Sequence, residues 1–202
     1  MQSLVYLHVG KESAYMLDEK RKEELITLLR WANCANSKYY FNLSKSLFDK
    51  TIFGNEDIFE PYIYQREIGF EEFKKQMAEK LEAIHLAEEI HYMIVNNNFD
   101  GNPWAIEQLI INPACDISTA KIAYWRCRPE YYYLNYGQPK NCPNEKYNKK
   151  WADLLERIEE KANGTGFRKN SISVNVLEYE QPIGIDFSSE PYCYIPKDLR
   201  YA

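Results

Sequence analysis

The chain lacks most of what would announce a chemistry. None of its apolar runs approaches the roughly 18 residues of a membrane span, and its start, Met1-Gln-Ser-Leu-Val-Tyr-Leu-His-Val, has neither the basic segment nor the small-residue cleavage site of a secretory leader. A soluble cytoplasmic protein without a membrane partner is expected. Its five cysteines (Cys34, Cys115, Cys127, Cys142, Cys193) are odd in number, widely spaced and never paired as Cys-x-x-Cys, which argues against both a disulfide framework and a zinc knuckle. No Gly-x-Ser-x-Gly elbow occurs. Asn163-Gly164-Thr165-Gly166 lacks the spacing and the lysine of a phosphate-binding loop. Basic residues gather only as Lys20-Arg21-Lys22 and Lys149-Lys150, too little for the positive stripe of a nucleic-acid binder.

What is present is ordinary globular material: 202 residues, 45% hydrophobic and 27% charged, enough for one domain with an extension or two small lobes. The net charge of −5 is unevenly placed. Residues 55–107 hold 12 acidic and 4 basic side chains, whereas the remainder is slightly basic. A basic partner suits that distribution; solvation of one helix face by Glu71, Glu72, Glu79, Glu82, Glu88 and Glu89 is the plainer explanation of the same residues.

Periodicity points to a mainly α chain, α+β in bookkeeping: a bundle-like helical domain with a small antiparallel strand element from the termini. Val5, Leu7 and Val9 alternate as a short strand. Asp18 reads as the cap of a helix carrying Leu25, Leu28, Leu29 and Ala32 inward. A second, more buried helix is expected over residues 38–48, followed by a turn-rich stretch from Thr51 to Gly69. Phe70, Phe73, Met77, Leu81 and Ile84 form the strongest helical line, which continues through Ile90 and Ile94 to Asn96. Asn102-Pro103 opens another helix and Pro113 stops it; Asp116 caps the next, with Pro129 at its end. Residues 131–143 read as an aromatic loop, Tyr147 to Ala162 as a last helix closed by Asn163-Gly164, and Ile172–Val176 and Ile183–Phe187 as strands. Residues 1–80 form an N-terminal helical extension or lobe on this reading, and 81–202 the main helical domain with C-terminal strands.

Two Glu-x-x-His matches, Glu82 to His85 and Glu88 to His91, are of the type that helix bundles use for di-iron sites. Read on one continuous helix they stand roughly 9 Å apart along the axis and face different ways, so they do not clasp one metal pair. His85 with Glu88 or Glu89 leaves a mononuclear site conceivable, and with it a metal-assisted hydrolase using Glu88 with His85 or His91, but solvated pairs at this spacing are commonplace. Cys115 precedes a helix whose N-terminus would lower its pKa; a small buried residue beside a cap explains it equally well. Seventeen tyrosines are a heavy load, and Tyr131, Tyr132, Tyr133 and Tyr136 are concentrated in the expected loop, where they suit a protein-binding surface or pack over the helices.

The segment Asn97-Asn98-Phe99-Asp100, the helix from Pro103 to Ile111, Asn112-Pro113-Ala114-Cys115-Asp116-Ile117-Ser118-Thr119-Ala120 and the pair Tyr124-Trp125 resemble, in that order and spacing, an uncharacterised bacterial family with an Asn/His-Pro-x-Cys-Asp-x-x-Thr-Ala and aromatic-Trp signature. The resemblance covers about residues 84–128. It runs more loosely through 144–163 to Ile195-Pro196 and Leu199-Arg200, and leaves the first 80 or so residues outside. Ser118 stands where the pattern has glycine, and the Tyr-rich stretch is longer. The resemblance implies a domain of unknown function met among accessory genes that include toxin and immunity loci, with no established active site. Physically, Asn112, Pro113, Cys115, Asp116, Thr119 and Trp125 read as the fixings of a tight helical corner, with a groove lined by Asp100, Asp116 and Trp125 as the functional alternative.

The expectation is a cytoplasmic, non-enzymatic binding protein without metal or cofactor, an immunity protein that occludes a basic toxin domain. Its docking residues would be Glu71, Glu72, Glu79, Glu82, Asp100, Tyr131, Tyr132, Tyr133 and Tyr136. A self-associating scaffold is a further alternative, and the oligomeric state is left open.

Overall fold

A computed structural model of the chain describes residues 17–146, 148–169, 172 and 184–200. Helices follow one another as α1 (Glu19–Cys34), α2 (Lys45–Ile52), α3 (Glu56–Ile68), α4 (Phe70–Glu82), α5 (Ala87–Val95), α6 (Trp104–Ile111), α7 (Ile117–Arg126), α8 (Pro129–Tyr136) and α9 (Lys149–Asn163), with short 3-10 turns at Pro139–Asn141, Tyr192–Tyr194 and Lys197–Leu199. The capping signals mark several of the starts. Asp18 Oδ1 accepts the Arg21 N–H at 2.7 Å, Asn102 Oδ1 the Trp104 N–H at 3.0 Å, and Asp116 Oδ1 the Ser118 N–H at 2.8 Å. No helix among the described residues is long and apolar enough to cross a membrane.

The periodic apolar positions meet in one core. Phe73, Met77 and Leu81 of α4 are fully buried against Leu25 and Leu29 of α1, and the same cluster takes in Ile90 and Ile94 of α5, Leu109 of α6, Tyr124 of α7 and Leu155 and Ile158 of α9. Each such side chain contributes about 1.5–3 kcal/mol on burial. α1 packs on α4, α5 and α6, so the sequence boundary near residue 80 runs through α4 and the first helix shares its core with the helices that follow.

Four expectations change. Residues 38–44 are not helical, with turns over 39–42, and the second helix begins only at Lys45; Arg66 Nη1 donates to the carbonyls of Tyr40, Phe41 and Leu43 at 2.8–2.9 Å and fixes them in that shape. The stretch read as turn-rich contains α3, which tolerates Pro61 within it and has Glu56 and Asp57 in its first turn, where the helix dipole favours acid. Gly69 joins α3 to α4 at φ 96°, ψ 149°, a conformation essentially confined to glycine. The long line from Phe70 to Ile94 is two helices, broken over Ala83–Leu86. The aromatic stretch is helix α8, started by Pro129 at its first turn.

Among the described residues there is no strand. The one extended contact is an isolated parallel bridge between Asp116 and Arg168, with Ile117 N–H on the Arg168 carbonyl at 2.9 Å and Arg168 N–H on the Cys115 carbonyl at 3.2 Å. Of the expected strand element, Val5–Val9 and Val174–Val176 lie outside the described residues, whereas Gly184–Phe187 run as turn and irregular chain.

Candidate binding groove

The signature residues sit where they hold backbone together. Asn112 is buried and its Nδ2 donates to the carbonyls of Leu81 (3.0 Å), Glu82 (3.3 Å) and Ile84 (3.0 Å), while its Oδ1 accepts the Ala114 N–H at 2.8 Å. Lys161 Nζ donates to the carbonyls of Ile110 and Asn112 at 2.8 and 3.1 Å. Trp125 Nε1 donates to the Leu199 carbonyl at 2.9 Å, and Thr119 Oγ1 shares a 3.0 Å hydrogen bond with His91 Nδ1. Asp116, Cys115 and Thr119 have no exposed surface and Trp125 is 3% exposed, so the groove expected from Asp100, Asp116 and Trp125 does not form: Asp100 alone of the three is exposed.

Burial also decides the reactive-group candidates. Cys115 is sealed, and the loss of solvent pushes its thiol up to about 12, away from thiolate chemistry. The first Glu-x-x-His match begins at Glu82, the last residue of α4, and runs into the α4–α5 break, and the second lies on α5. His85 is exposed at the corner, while His91 is buried, held neutral with its pKa pushed down to about 4 by desolvation. Among the described residues no group of three His, Cys, Asp or Glu side chains is placed to hold a metal ion.

A further buried titratable group, Glu159 of α9, carries no signal in the local sequence pattern. It accepts the phenol hydrogens of Tyr124 (2.6 Å) and Tyr133 (3.0 Å) on one oxygen, and burial, outweighing those two hydrogen bonds, raises its pKa to about 7. Tyr133 thus faces the interior, as does Tyr132, whose hydroxyl donates to the Asn148 carbonyl at 3.0 Å; Tyr131 is 41% exposed and Tyr136 half-buried.

Where α5, α7 and α9 come close, their ends enclose an open groove of about 650 Å³. One wall is the Asn96–Asp100 segment after α5, turned by the Asp100 N–H on Asn98 Oδ1 at 2.8 Å. The far wall is the α7–α8 corner with Arg126, Arg128 and Tyr131, and Trp151 of α9 stacks on Phe99 with ring centres 6.1 Å apart and planes 21° apart. Arg126 Nη1 donates to the Val95 carbonyl at 2.7 Å and the guanidinium lies 5.3 Å from the Phe99 ring centre, a cation–π contact that ties the two walls. Arg128 has φ 57°, ψ 59°, a left-handed conformation unusual for a residue other than glycine. Its side chain is 75% exposed, with Nε 3.1 Å from Glu130 Oε1.

The structure therefore brings Asp100, Tyr131 and Tyr132 to one place and adds Arg126, Arg128, Asn97 and Trp151, which sequence reasoning misses as groove residues. The position of Arg128 just before Pro129 is the available signal, since a residue preceding proline is disfavoured in the right-handed helical region. The acidic candidates stand elsewhere. Glu71, Glu72, Glu79 and Glu82 are exposed on α4, which packs on α1, α3 and α6, while α8 packs on α9 and the Pro139–Asn141 turn. Lys38 lies 3.6 Å from Glu71 and Lys75 3.8 Å from Glu79, so that face is partly neutralised.

Residues 87–162 match the family model described as Domain of unknown function (DUF4274). The matched segment runs from the first residue of α5 almost to the end of α9 and contains every residue that lines the groove. No curated protein and no solved structure matches the chain.

Proposed function

We propose that the chain is a non-enzymatic binding protein that docks a partner protein at the groove between the Asn96–Asp100 segment and the α7–α8 corner, and that its biological role is immunity, occlusion of a bacterial toxin domain. The observation that carries this reading is the state of Tyr131. The ring is exposed, yet it packs edge-on against Tyr132 and Tyr136, with ring centres 5.2 and 6.1 Å away. A pre-ordered aromatic side chain loses little rotamer entropy on binding, which is what an interface anchor requires. Exposed Glu71, Glu72, Glu79 and Glu82 on α4 supply long-range attraction for a net-basic toxin, and the groove supplies the short-range fit. The toxin context comes from the signature's resemblance to a family met near toxin and immunity genes.

The test is co-expression with the product of the adjacent open reading frame. The chain is expected to relieve that product's toxicity and to co-purify with it. Tyr131→Ala should weaken the complex by roughly tenfold or more through faster dissociation. Reversing charge at Glu71, Glu72, Glu79 and Glu82 should slow association and flatten its salt dependence while leaving dissociation nearly unchanged. Undiminished toxicity with no complex would overturn the reading.

A further inference from the structure

Asp or Asn is followed directly by glycine twice in the chain, at Asp100-Gly101 and at Asn163-Gly164. At such a pair the glycine nitrogen can close a five-membered ring on the preceding side chain, because the glycine has no Cβ to hinder the approach. The fold treats the two pairs oppositely. Asn163 is the last residue of α9, and the Gly164 N–H is engaged by the Glu160 carbonyl at 2.9 Å, which holds that nitrogen in the helix cap. Asp100 and Gly101 are exposed in the connection between α5 and α6. Neither the Asp100 carboxylate nor the Gly101 N–H has a hydrogen-bond or ion-pair partner among the described residues.

We infer that Asp100–Gly101, in the wall of the groove, is a site of spontaneous covalent modification at which the chain forms isoaspartate. The Gly101 nitrogen adds to Cγ of the Asp100 carboxylic acid, the C–OH bond breaks, and the nitrogen's proton leaves with the hydroxyl as water. A succinimide remains. Water then adds to one of its two carbonyls: at Cγ it restores aspartate, and at the Asp100 main-chain carbonyl it gives isoaspartate of unchanged mass. One water is released and one taken up, so no other reactant is needed. Isoaspartate routes the main chain through Cβ and lengthens it by one carbon, about 1.5 Å. The neighbours on both sides are anchored. Phe99 is stacked on Trp151, Asn102 Nδ2 donates to the Asn36 carbonyl at 3.3 Å, and Lys150 Nζ donates to the Gly101 carbonyl at 3.0 Å. An added carbon in so short a span displaces the Phe99–Trp151 stack or breaks one of those ties, whatever partner the groove takes. The modified chain is a substrate for an S-adenosylmethionine-dependent carboxyl methyltransferase of the class that acts on isoaspartate.

The experiment is storage of the full chain for several weeks at physiological temperature in mildly acidic buffer. Peptide mapping by mass spectrometry with electron-transfer fragmentation then distinguishes isoaspartate from aspartate, and labelled methyl transfer by the methyltransferase counts it. Isoaspartate is expected at position 100, with Asn163 still an amide. Gly101→Ala should fold, since a methyl group there meets nothing within 4 Å and Gly101 lies outside the left-handed region, and it should slow the reaction about fivefold or more. Asp100→Asn puts the same dipeptide at both places. In that folded variant position 100 should lose ammonia about tenfold faster than Asn163 or more, whereas in denaturant the two rates should come within about twofold. The Trp151 indole NMR signal should split in step with isoaspartate formation. No isoaspartate at position 100, an unchanged rate in Gly101→Ala, or Asn163 reacting as fast as position 100 in the folded Asp100→Asn variant would each overturn the inference. A single unmoved Trp151 signal in the aged protein would overturn the effect on the groove.

Discussion

The amide of Asn112 lies 3.0 Å from the carbonyl oxygen of Ile84 and 3.0 Å from that of Leu81, so one side chain from the α6–α7 connection holds the corner between α4 and α5. Those carbonyls lie at and just past the end of α4, where regular helical hydrogen bonds run out; the Leu81 carbonyl also takes the Ile84 N–H at 3.3 Å. The break in the long apolar line is thus a tertiary effect, made possible because a donor from 28 residues away replaces the hydrogen bonds a continuous helix would have supplied.

Asn112→Ala should destabilise the chain by roughly 2–4 kcal/mol, since it strands buried carbonyls and leaves a gap. Asn112→Asp, nearly the same shape, should be at least as damaging because it turns an acceptor toward acceptors. Chemical denaturation measures both, and an Asp variant as stable as the parent would contradict the role assigned to the amide.

The stability that Glu159 and His91 contribute together should form a plateau between about pH 4.5 and pH 6.5, where their opposite slopes cancel, and fall on both sides of it. Glu159 has its folded pKa raised from 4.5 to about 7, so the stability it contributes is complete below 4.5 and is lost as pH rises through about 7. His91 is lowered from 6.5 to about 4, so its contribution is present above 6.5 and is lost as pH falls through about 4. Glu159→Gln should remove the decline and leave the His91 slope unopposed, so that stability climbs with pH up to about 6.5, a change on the order of 2–3 kcal/mol in the difference between pH 5 and pH 8. Melting curves across that range read the difference directly.

Thiol labelling should separate the five cysteines. Cys34, Cys115, Cys127 and Cys142 are buried and Cys193 is half-buried, so a colorimetric thiol reagent should modify Cys193 first and Cys115 only after unfolding. Rapid modification of Cys115 in the folded protein, followed by peptide mapping, would restore the reactive-thiol interpretation.

Capping chemistry and apolar spacing make most of the helices legible in the sequence: Asp18, Asn102 and Asp116 mark real starts, and Asn163-Gly164 a real end. Pro61 and the flanking glycines conceal α3, because a proline within a helix removes one donor without necessarily ending it. Composition conceals α8, its tyrosines on buried and exposed faces alike giving no clear 3.6-residue pattern. Charge and aromaticity single out Asp100 and Tyr131, but their meeting depends on how the ends of α5 and α7 and the start of α9 converge, and no local pattern encodes that. Arg128 and Trp151 escape because their significance lies in backbone conformation and in a stack with Phe99.

The contact between Trp125 and Leu199, together with the bridge from Asp116 to Arg168, means that the matched segment leans on chain beyond its own end. Excised as residues 87–162, it would shed the cover over its tryptophan and the α1 and α4 partners of its apolar helices. A recombinant fragment trimmed to those limits should therefore be sticky and poorly behaved.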